Sequence, residues 1–216
     1  MRKILLAVMG AALITGTGAL TVPASAATTC TGPLTGPLSG PVTVPAGATC
    51  IIDGATVSGA VNVSPGGRLV IFNNSTINGS VNSDRAGTDT SSLPIYFSIV
   101  ICNTHITGSV NITRATSNVL VGDEGEYKCY GNGIDGSVTL SSNAVGAELL
   151  GNTIKGSVTV NSNHGSTHDD PESAEVGDNS IGGSLSCSGN DNGVTPGSGS
   201  NTAASKNGQC RASLGF

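Results

Sequence analysis

One short phrase centred on a glycine recurs along the chain. Its clearest copy is TIKGSVTV at residues 153–160, and six similar segments surround other glycines. The spacings between these glycines run from 19 to 29 residues, which indicates a base unit of about 20 residues lengthened in places by a loop. Repeats of this length are typical of solenoids. The central glycines are Gly40, Gly59, Gly79, Gly108, Gly136, Gly156 and Gly183.

Each copy of the phrase alternates apolar and polar side chains. The positions two before, two after and four after the glycine are apolar in nearly every copy, whereas the positions between them are polar. This alternation is typical of a strand with one buried face. We therefore expect a right-handed parallel β-helix of about seven rungs, with almost no helix in the mature chain. A barrel or sandwich would also explain short strands, but not one residue type recurring at one place in each unit.

Stacking the units would align like residues in columns. Aliphatic residues two before and two after the glycine would form two interior columns. The first contains residues 57, 77, 106, 134, 154 and 181, and the second contains residues 61, 81, 110, 138, 158 and 185. On the outer surface, Asp135 and Lys155 occupy the same position on consecutive rungs, so we expect them to form an ion pair.

Asparagines recur at two corners of the predicted coil. We expect them to pass side-chain hydrogen bonds from rung to rung and to adopt the left-handed backbone that corners need. This structural interpretation is favoured over sugar binding by the same residues. They are Asn132, Asn152 and Asn179 at one corner, and Asn143, Asn163 and Asn190 at the other.

The N-terminal segment has the features of a cleaved signal peptide. Arg2 and Lys3 precede an apolar run, and the small residues at 24–26 match the site that signal peptidase reads. We expect residues 1–26 to be removed and residues 27–216 to form a single domain. The protein is then secreted, and either free outside the cell or associated with the cell wall.

All six cysteines lie after the signal peptide, and an even number in an exported chain predicts disulfides. Cys30 and Cys50 bracket the first rung, a cap at residues 30–50, and Cys187 and Cys210 bracket a capping tail at residues 188–216. The remaining rungs would occupy residues 51–187. The other two cysteines lie six and seven residues before the glycines of adjacent rungs. We therefore predict the pairs Cys30–Cys50, Cys102–Cys129 and Cys187–Cys210.

The net charge of the mature chain restricts which partners it can bind. Removing Arg2 and Lys3 from nine basic residues leaves seven against 14 acidic ones, a net charge of −7. Such a balance disfavours nucleic acid and anionic membranes. No cofactor is predicted, although carboxylates in the loops allow calcium as an alternative.

Three longer segments interrupt the rungs, at residues 84–97, 113–127 and 163–175, and we expect them to emerge on the same side of the solenoid. Insertions on one face of a solenoid often carry binding. The first two also bring in aromatic residues, although sugar stacking is not favoured because the tyrosines do not repeat and tryptophan is absent. The candidate binding residues are Asp84, Arg85, Arg114, Asp123, Glu124, Glu126 and Tyr127.

The third insertion holds candidate metal ligands. His and Asp side chains are common ligands of divalent metals. Two histidines four residues apart lie on the same face only in a helix. This segment is rich in Gly, Ser and Pro, so a helix is not expected here. A solvated acidic loop is the favoured interpretation. The candidate ligands are His164, His168, Asp169 and Asp170.

The repeats, the signal peptide and the tail Gly208-Gln209-Cys210 resemble small secreted Gly/Asn-rich repeat proteins of Gram-positive bacteria. The architecture is also similar to pectate-lyase-like β-helices, which implies a calcium-dependent polysaccharide lyase with Arg85 or Arg114 as the basic residue. No lyase motif and no nucleophile arrangement is present, so no catalytic residue is predicted.

A non-enzymatic structural or binding protein of the cell surface or extracellular matrix is the favoured function, with glycans or cell-wall polymer as partners. A lyase-like enzyme is the first alternative. The second is an ice-binding-like surface protein, because serine and asparagine or threonine residues recur in rows beside the glycines.

Overall fold

The computed structural model describes residues 25–87, 97–123, 129–165, 173–197 and 199–216. Within these ranges the chain forms three parallel sheets, and successive strands visit sheets A, B and C in turn. Strands pair in parallel with their counterparts one turn of the chain away. The predicted parallel β-helix is confirmed.

Sheet A has nine strands and contains the residues that follow each repeat glycine. Its strands are β1 (Thr28–Thr29), β4 (Val42–Val44), β7 (Val61–Val63), β10 (Val81–Asp84), β13 (Val110–Thr113), β16 (Val138–Ser141), β19 (Val158–Asn161), β22 (Ser184–Ser188) and β24 (Ser205–Gly208).

Sheet B has eight strands, which lie between the copies of the phrase. They are β2 (Pro33–Leu34), β5 (Thr49–Asp53), β8 (Arg68–Phe72), β11 (Phe97–Ile101), β14 (Asn118–Val121), β17 (Ala147–Leu150), β20 (Ala174–Gly177) and β23 (Val194–Thr195).

Sheet C has seven short strands, which precede the glycines. They are β3 (Pro37–Leu38), β6 (Thr56–Val57), β9 (Ser75–Ile77), β12 (Thr104–Ile106), β15 (Gly133–Ile134), β18 (Thr153–Ile154) and β21 (Ser180–Ile181).

One strand from each sheet makes a coil, and the described residues form seven complete coils, from β1–β3 to β19–β21. An eighth, incomplete coil consists of β22, β23 and an isolated parallel bridge between Ser180 and Thr202. β24 then closes sheet A, and a 3-10 helix (Ala212–Leu214) follows. Within the described ranges, no helix is long and apolar enough to cross a membrane. The predicted signal peptide lies almost entirely outside those ranges.

The core confirms both predicted aliphatic columns, since every member is no more than 4 % exposed. A third column, which the repeated phrase does not contain, comes from sheet B. Its members are Ile52, Ile71, Ile101, Val121, Leu149 and Val176, all fully buried. Burying one such side chain contributes about 1.5–3 kcal/mol, so the three columns supply the main driving force for folding.

The asparagine corners are confirmed as side-chain ladders. At the B–C corner, the Asn132 amide donates to the Oδ1 of Asn152 (3.0 Å), Asn152 donates to Asn179 (2.9 Å), and Asn179 donates to Asn201 (2.8 Å). Each Nδ2 also donates to a backbone carbonyl of another coil. The repeats did not reveal Asn201 because it follows the last copy of the phrase.

The A–B corner carries the second ladder. Asn143 donates to Asn163 (2.9 Å), Asn163 donates to Asn190 (2.9 Å), and Asn190 donates to the Oε1 of Gln209 (2.9 Å). The Gln209 amide returns a bond to the Asn190 carbonyl (2.9 Å). Gln209, in the tail segment Gly208-Gln209-Cys210, therefore closes the ladder.

The expected left-handed backbone is not found at the ladder asparagines themselves. It is found at the residue before most of them, as at Ser142 (φ 58°), Ser162 (φ 53°) and Asp178 (φ 53°). This preceding residue makes the turn, and the asparagine that follows enters the coil with its side chain directed at the neighbouring rungs.

The three predicted disulfides are present. Cys30–Cys50 and Cys187–Cys210 have Cα separations of 5.3 Å and lie inside the core at the two ends of the solenoid. Cys102–Cys129, with a Cα separation of 4.9 Å, packs instead with Leu120 in a separate apolar cluster. Two disulfides therefore close the ends, while the third fastens the outside of the fourth and fifth coils.

The insertions do not all leave the coil at equivalent points. The first falls between β10 and β11 and the third between β19 and β20, so both lie at the A–B corner. The second falls between β14 and β15, at the B–C corner. Residues 118–121 are an ordinary strand in register with β11 and β17, so the additional residues follow that strand and do not precede it.

Candidate functional site

The outer face of sheet B carries a cleft of about 510 Å³. It crosses the B strands of the third, fourth and fifth coils, β8, β11 and β14, and reaches the B–C corner. We call it the aromatic cleft. It is lined by Arg68, Val70, Phe72, Asn73, Phe97, Val100, Cys102, Asn103, Leu120, Cys129 and Tyr130.

Three paired strands form the apolar floor of the aromatic cleft. In β8, Leu69 and Ile71 face the core, so the pleat turns Val70 outward. Val100 of β11 pairs with Val70, and Leu120 of β14 pairs with Val100. The sequence signal for this floor was the runs RLVIF, FSIVI and NVLV, which are apolar on both faces of the strand. Strands of this kind are covered on both sides.

Aromatic side chains are concentrated at this cleft. The chain has three phenylalanines, three tyrosines and no tryptophan. Of the four aromatic residues that the structure describes, Phe72, Phe97 and Tyr130 line the cleft, and only Phe216 lies elsewhere. Tyr130 is 57 % exposed, whereas the two phenylalanines are partly buried against Leu120. A collection of scarce aromatic residues around one cavity is the pattern of a ligand site.

Arg68 stands at one end of the cleft and is only 3 % exposed. Its Nε donates a hydrogen bond of 2.7 Å to the carbonyl oxygen of Phe97. The bond joins the third coil to Phe97, which ends the first insertion and begins β11, and so it fixes the position of the Phe97 backbone at the cleft. We conclude that this wall of the cleft is held by the fold.

A second, polar cleft of about 350 Å³ lies on the outer face of sheet C in the same three coils. Its Ser75 and Thr104 hydroxyls donate to the backbone carbonyls of Phe72 (2.7 Å) and Cys102 (2.8 Å), which fixes two of its walls. Asn103 lines both clefts. The residues lining this polar cleft are Asn74, Ser75, Thr76, Asn103, Thr104, His105, Gly131 and Gly133.

The predicted binding residues Asp84, Arg85 and Arg114 come together, but on sheet A and its corner and not at either cleft. Arg114 donates two bonds of 2.7 Å to the Asp84 carboxylate, and Arg85 lies 3.5 Å from it. The Arg114 hydrogen bond lowers the pKa of Asp84, and the same bond raises the pKa of Arg114. Arg114 therefore neutralises Asp84 at the surface, with Arg85 beside the pair.

The other predicted binding residues follow β14. Asp123 is 7 % exposed and comes two residues after that strand. Glu124, Glu126 and Tyr127 lie outside the described residues.

The candidate metal ligands are only partly described. His164 contacts the carboxylate of Asp191 through its Nδ1, one coil further along. His168, Asp169 and Asp170 lie outside the described residues. The described ranges contain no group of three His, Cys, Asp or Glu side chains that could hold a metal ion.

The outer rows of sheet A, which suggested ice binding, include amides bonded to each other. Asn82 donates to Asn62 and Asn111 donates to Asn82, both at 3.1 Å. On sheet C, the expected pair of Asp135 and Lys155 is confirmed at 2.8 Å. Its presence confirms the register in which the repeats were aligned.

No family model, curated protein or solved structure matches the chain. The resemblance to secreted repeat proteins therefore stays a prediction, and any functional argument depends on the geometry of the two clefts.

Proposed function

We propose that the protein is a secreted, non-enzymatic binding protein whose ligand is an uncharged glycan held in the aromatic cleft. The observation that carries the proposal is the collection of Phe72, Phe97 and Tyr130 around one apolar cavity in a chain with six aromatic residues. The predicted signal peptide and the three disulfides support an oxidising environment outside the cell.

The chemistry of a sugar ring matches this cavity. Sugar rings present apolar C–H faces, which pack against aromatic rings, and a rim of hydroxyls, which need hydrogen-bond partners. Phe72 and Tyr130 supply aromatic surface, while Asn103 and Asn73, whose amide also donates to Asp53 (2.7 Å), lie at the edge. The aliphatic floor also excludes water from the bound face, which strengthens hydrogen bonds at the edge.

Charge favours an uncharged ligand. The predicted mature chain has a net charge of −7, which repels polyanions at long range. The lyase alternative needs a basic residue that can accept a proton from an acidic polysaccharide. Arg114, the residue implied for that role, has its pKa raised by Asp84 and is therefore a poorer proton acceptor than an ordinary arginine.

Titration calorimetry of the mature protein tests the proposal. The probes are β-1,4-linked oligosaccharides of glucose and of N-acetylglucosamine, with and without a calcium chelator. We expect binding that the chelator does not change, and we expect Phe72→Ala and Tyr130→Ala each to weaken it about tenfold. Absorbance at ultraviolet wavelengths during incubation with an acidic polysaccharide monitors lyase turnover in parallel.

Ile51→Ala is the matched control. Ile51 lies on the outer face of sheet B in the second coil, in the same column as Val70, but it does not line the cleft. Its substitution should leave affinity unchanged. Absence of binding to every probe, or equal loss in the control and in Phe72→Ala, contradicts the proposal.

A further inference from the structure

The aromatic and polar clefts meet at a corner of the solenoid. Both cross the third, fourth and fifth coils, one on sheet B and the other on sheet C. Asn103 lies at the corner between them, with a left-handed backbone (φ 46°) and a side chain that lines both. The two cavities therefore adjoin at Asn103, on the two sides of the B–C corner.

We infer that the polar cleft is a second sugar subsite, so that the ligand is a linear, uncharged glycan that bends around Asn103. This inference depends on the proposed glycan binding and extends it from one sugar-sized site to a chain. The aromatic cleft takes the apolar face of one unit, and the polar cleft takes the hydroxyls of the units beyond the corner.

One residue that lines the polar cleft, Gly133, has no side chain. The outer column of sheet C aligns Thr76 with His105, His105 with Gly133, and Gly133 with Thr153. From Thr56 to Ser180, every other member of this column carries a polar side chain, so Gly133 is a gap in the row of side chains. A Cβ built at Gly133 would lie 3.2 Å from the His105 Nδ1. That contact is tight, so a side chain added at Gly133 must displace the His105 ring and reduce the space in the polar cleft.

The polar groups around this gap are available to a ligand. Asn74 and Asn103 use their backbones to bond neighbouring coils, at 2.9 Å and 2.8 Å, but within the described ranges their side-chain amides make no hydrogen bond. Over those same ranges the Thr76 hydroxyl has no partner either. Amides and hydroxyls without protein partners, arranged beside a cavity, are suited to sugar hydroxyls, which both donate and accept.

Filling the gap tests the second subsite. Gly133→Thr should restore the column, because the nearest atom belongs to an exposed side chain that can move. Calorimetry compares the disaccharide and the hexasaccharide of whichever series binds the wild type. We expect the wild type to bind the hexasaccharide at least about tenfold more tightly, and Gly133→Thr to remove most of this advantage while leaving disaccharide affinity unchanged.

Asn103→Gly is a second variant that keeps the left-handed backbone while deleting the amide. It should weaken hexasaccharide binding about tenfold. Ser142→Gly is its control, because Ser142 has a similar backbone (φ 58°) at the opposite corner, away from both clefts. Thermal unfolding of each variant verifies that the fold is retained.

The outcomes separate the two proposals. Equal affinity for the two oligosaccharides, with Phe72→Ala still harmful, overturns the second subsite and leaves the aromatic cleft standing. Unchanged hexasaccharide affinity in both Gly133→Thr and Asn103→Gly also overturns it. If neither probe binds the wild type, the glycan-binding function itself fails.

Discussion

Asparagines occur on both sides of the B–C corner, and their environments are opposite. Inside the coil, Asn152 is 1 % exposed, and its amide and carbonyl bond to residues of both neighbouring coils. Outside it, Asn103 lines two clefts, and its side chain makes no hydrogen bond within the described ranges. The first is used for stability, and the second remains available to a ligand.

Residue type alone therefore does not assign a role in this chain. Asn103 comes directly before the column that contains Thr104, Asn132 and Asn152, so a shift of one residue exchanges the buried corner for the surface. Buried amides are retained only when they are fully bonded, since an unbonded buried polar group costs about 1–3 kcal/mol. An unbonded amide at a cleft has no such cost because water or a ligand can satisfy it.

Breaking the asparagine ladder at the B–C corner should have the largest effect on stability. Asn152→Ala removes the acceptor used by both the backbone and the side chain of Asn132, and it removes bonds to Val121, Leu150 and Asn179. We expect a loss of about 4 kcal/mol in the free energy of unfolding, measured by urea titration. Asn103→Gly should cost less than about 1 kcal/mol, and similar losses in the two variants contradict the comparison.

Removing a disulfide from the core and another from the outer surface extends the comparison to covalent bonds. Replacing Cys187 and Cys210 by serine, or Cys102 and Cys129 by serine, opens loops of 23 and 27 residues respectively. Each change should cost about 3 kcal/mol in the chain-entropy account. Only the second pair lines the aromatic cleft, so only its removal should also weaken glycan binding. Calorimetry at a temperature where both variants are folded distinguishes them.

The end of the second ladder should be less sensitive than its middle. Gln209→Ala removes the acceptor for the Asn190 backbone and amide, together with one returned bond. Because this end of the ladder is only partly buried, water can replace some of these bonds, and we expect a loss of about 1.5 kcal/mol. A loss as large as that of Asn152→Ala, measured in the same urea titration, would show that the cap governs the whole ladder.

Much of the fold could be predicted from the sequence because the repeat carries it. The phrase determines which residues of sheets A and C face inward, and it fixes the register well enough to predict the pair of Asp135 and Lys155. Sheet B lies outside the phrase, so its interior column and its apolar outer face were not predicted. The predicted exit point of the second insertion was also wrong. Placing it correctly requires residues 118–121 to be recognised as a strand.

The clefts were harder to predict than the fold. Phe72, Phe97 and Tyr130 are far apart in the sequence and do not repeat, so only their coils bring them together. Asp84 and Arg114 were predicted as binding residues instead, but their charges neutralise each other in the structure. Sequence patterns predict what is periodic here, whereas the residues that line the clefts do not belong to the repeated phrase alone.

Lowering the pH should remove the stability that the surface ion pairs contribute but not that of the amide ladders. This is the smallest of the expected effects. Hydrogen bonds from Arg114 and Lys155 lower the folded-state pKa of Asp84 and Asp135 below the ordinary value of 3.8. Stability from these pairs is therefore present above that value and is lost as the pH falls through the folded-state pKa. Amide ladders do not titrate, so the fold itself should persist.

The test is urea unfolding of wild type and of Asp84→Asn between neutral pH and about pH 2. The variant should be slightly less stable at neutral pH and equal to the wild type at the acid end, because protonation has removed the same charge there. Both side chains are exposed, so the difference at neutral pH should also shrink in high salt. A difference that persists at low pH would mean that Asp84 acts through its packing and not through its charge.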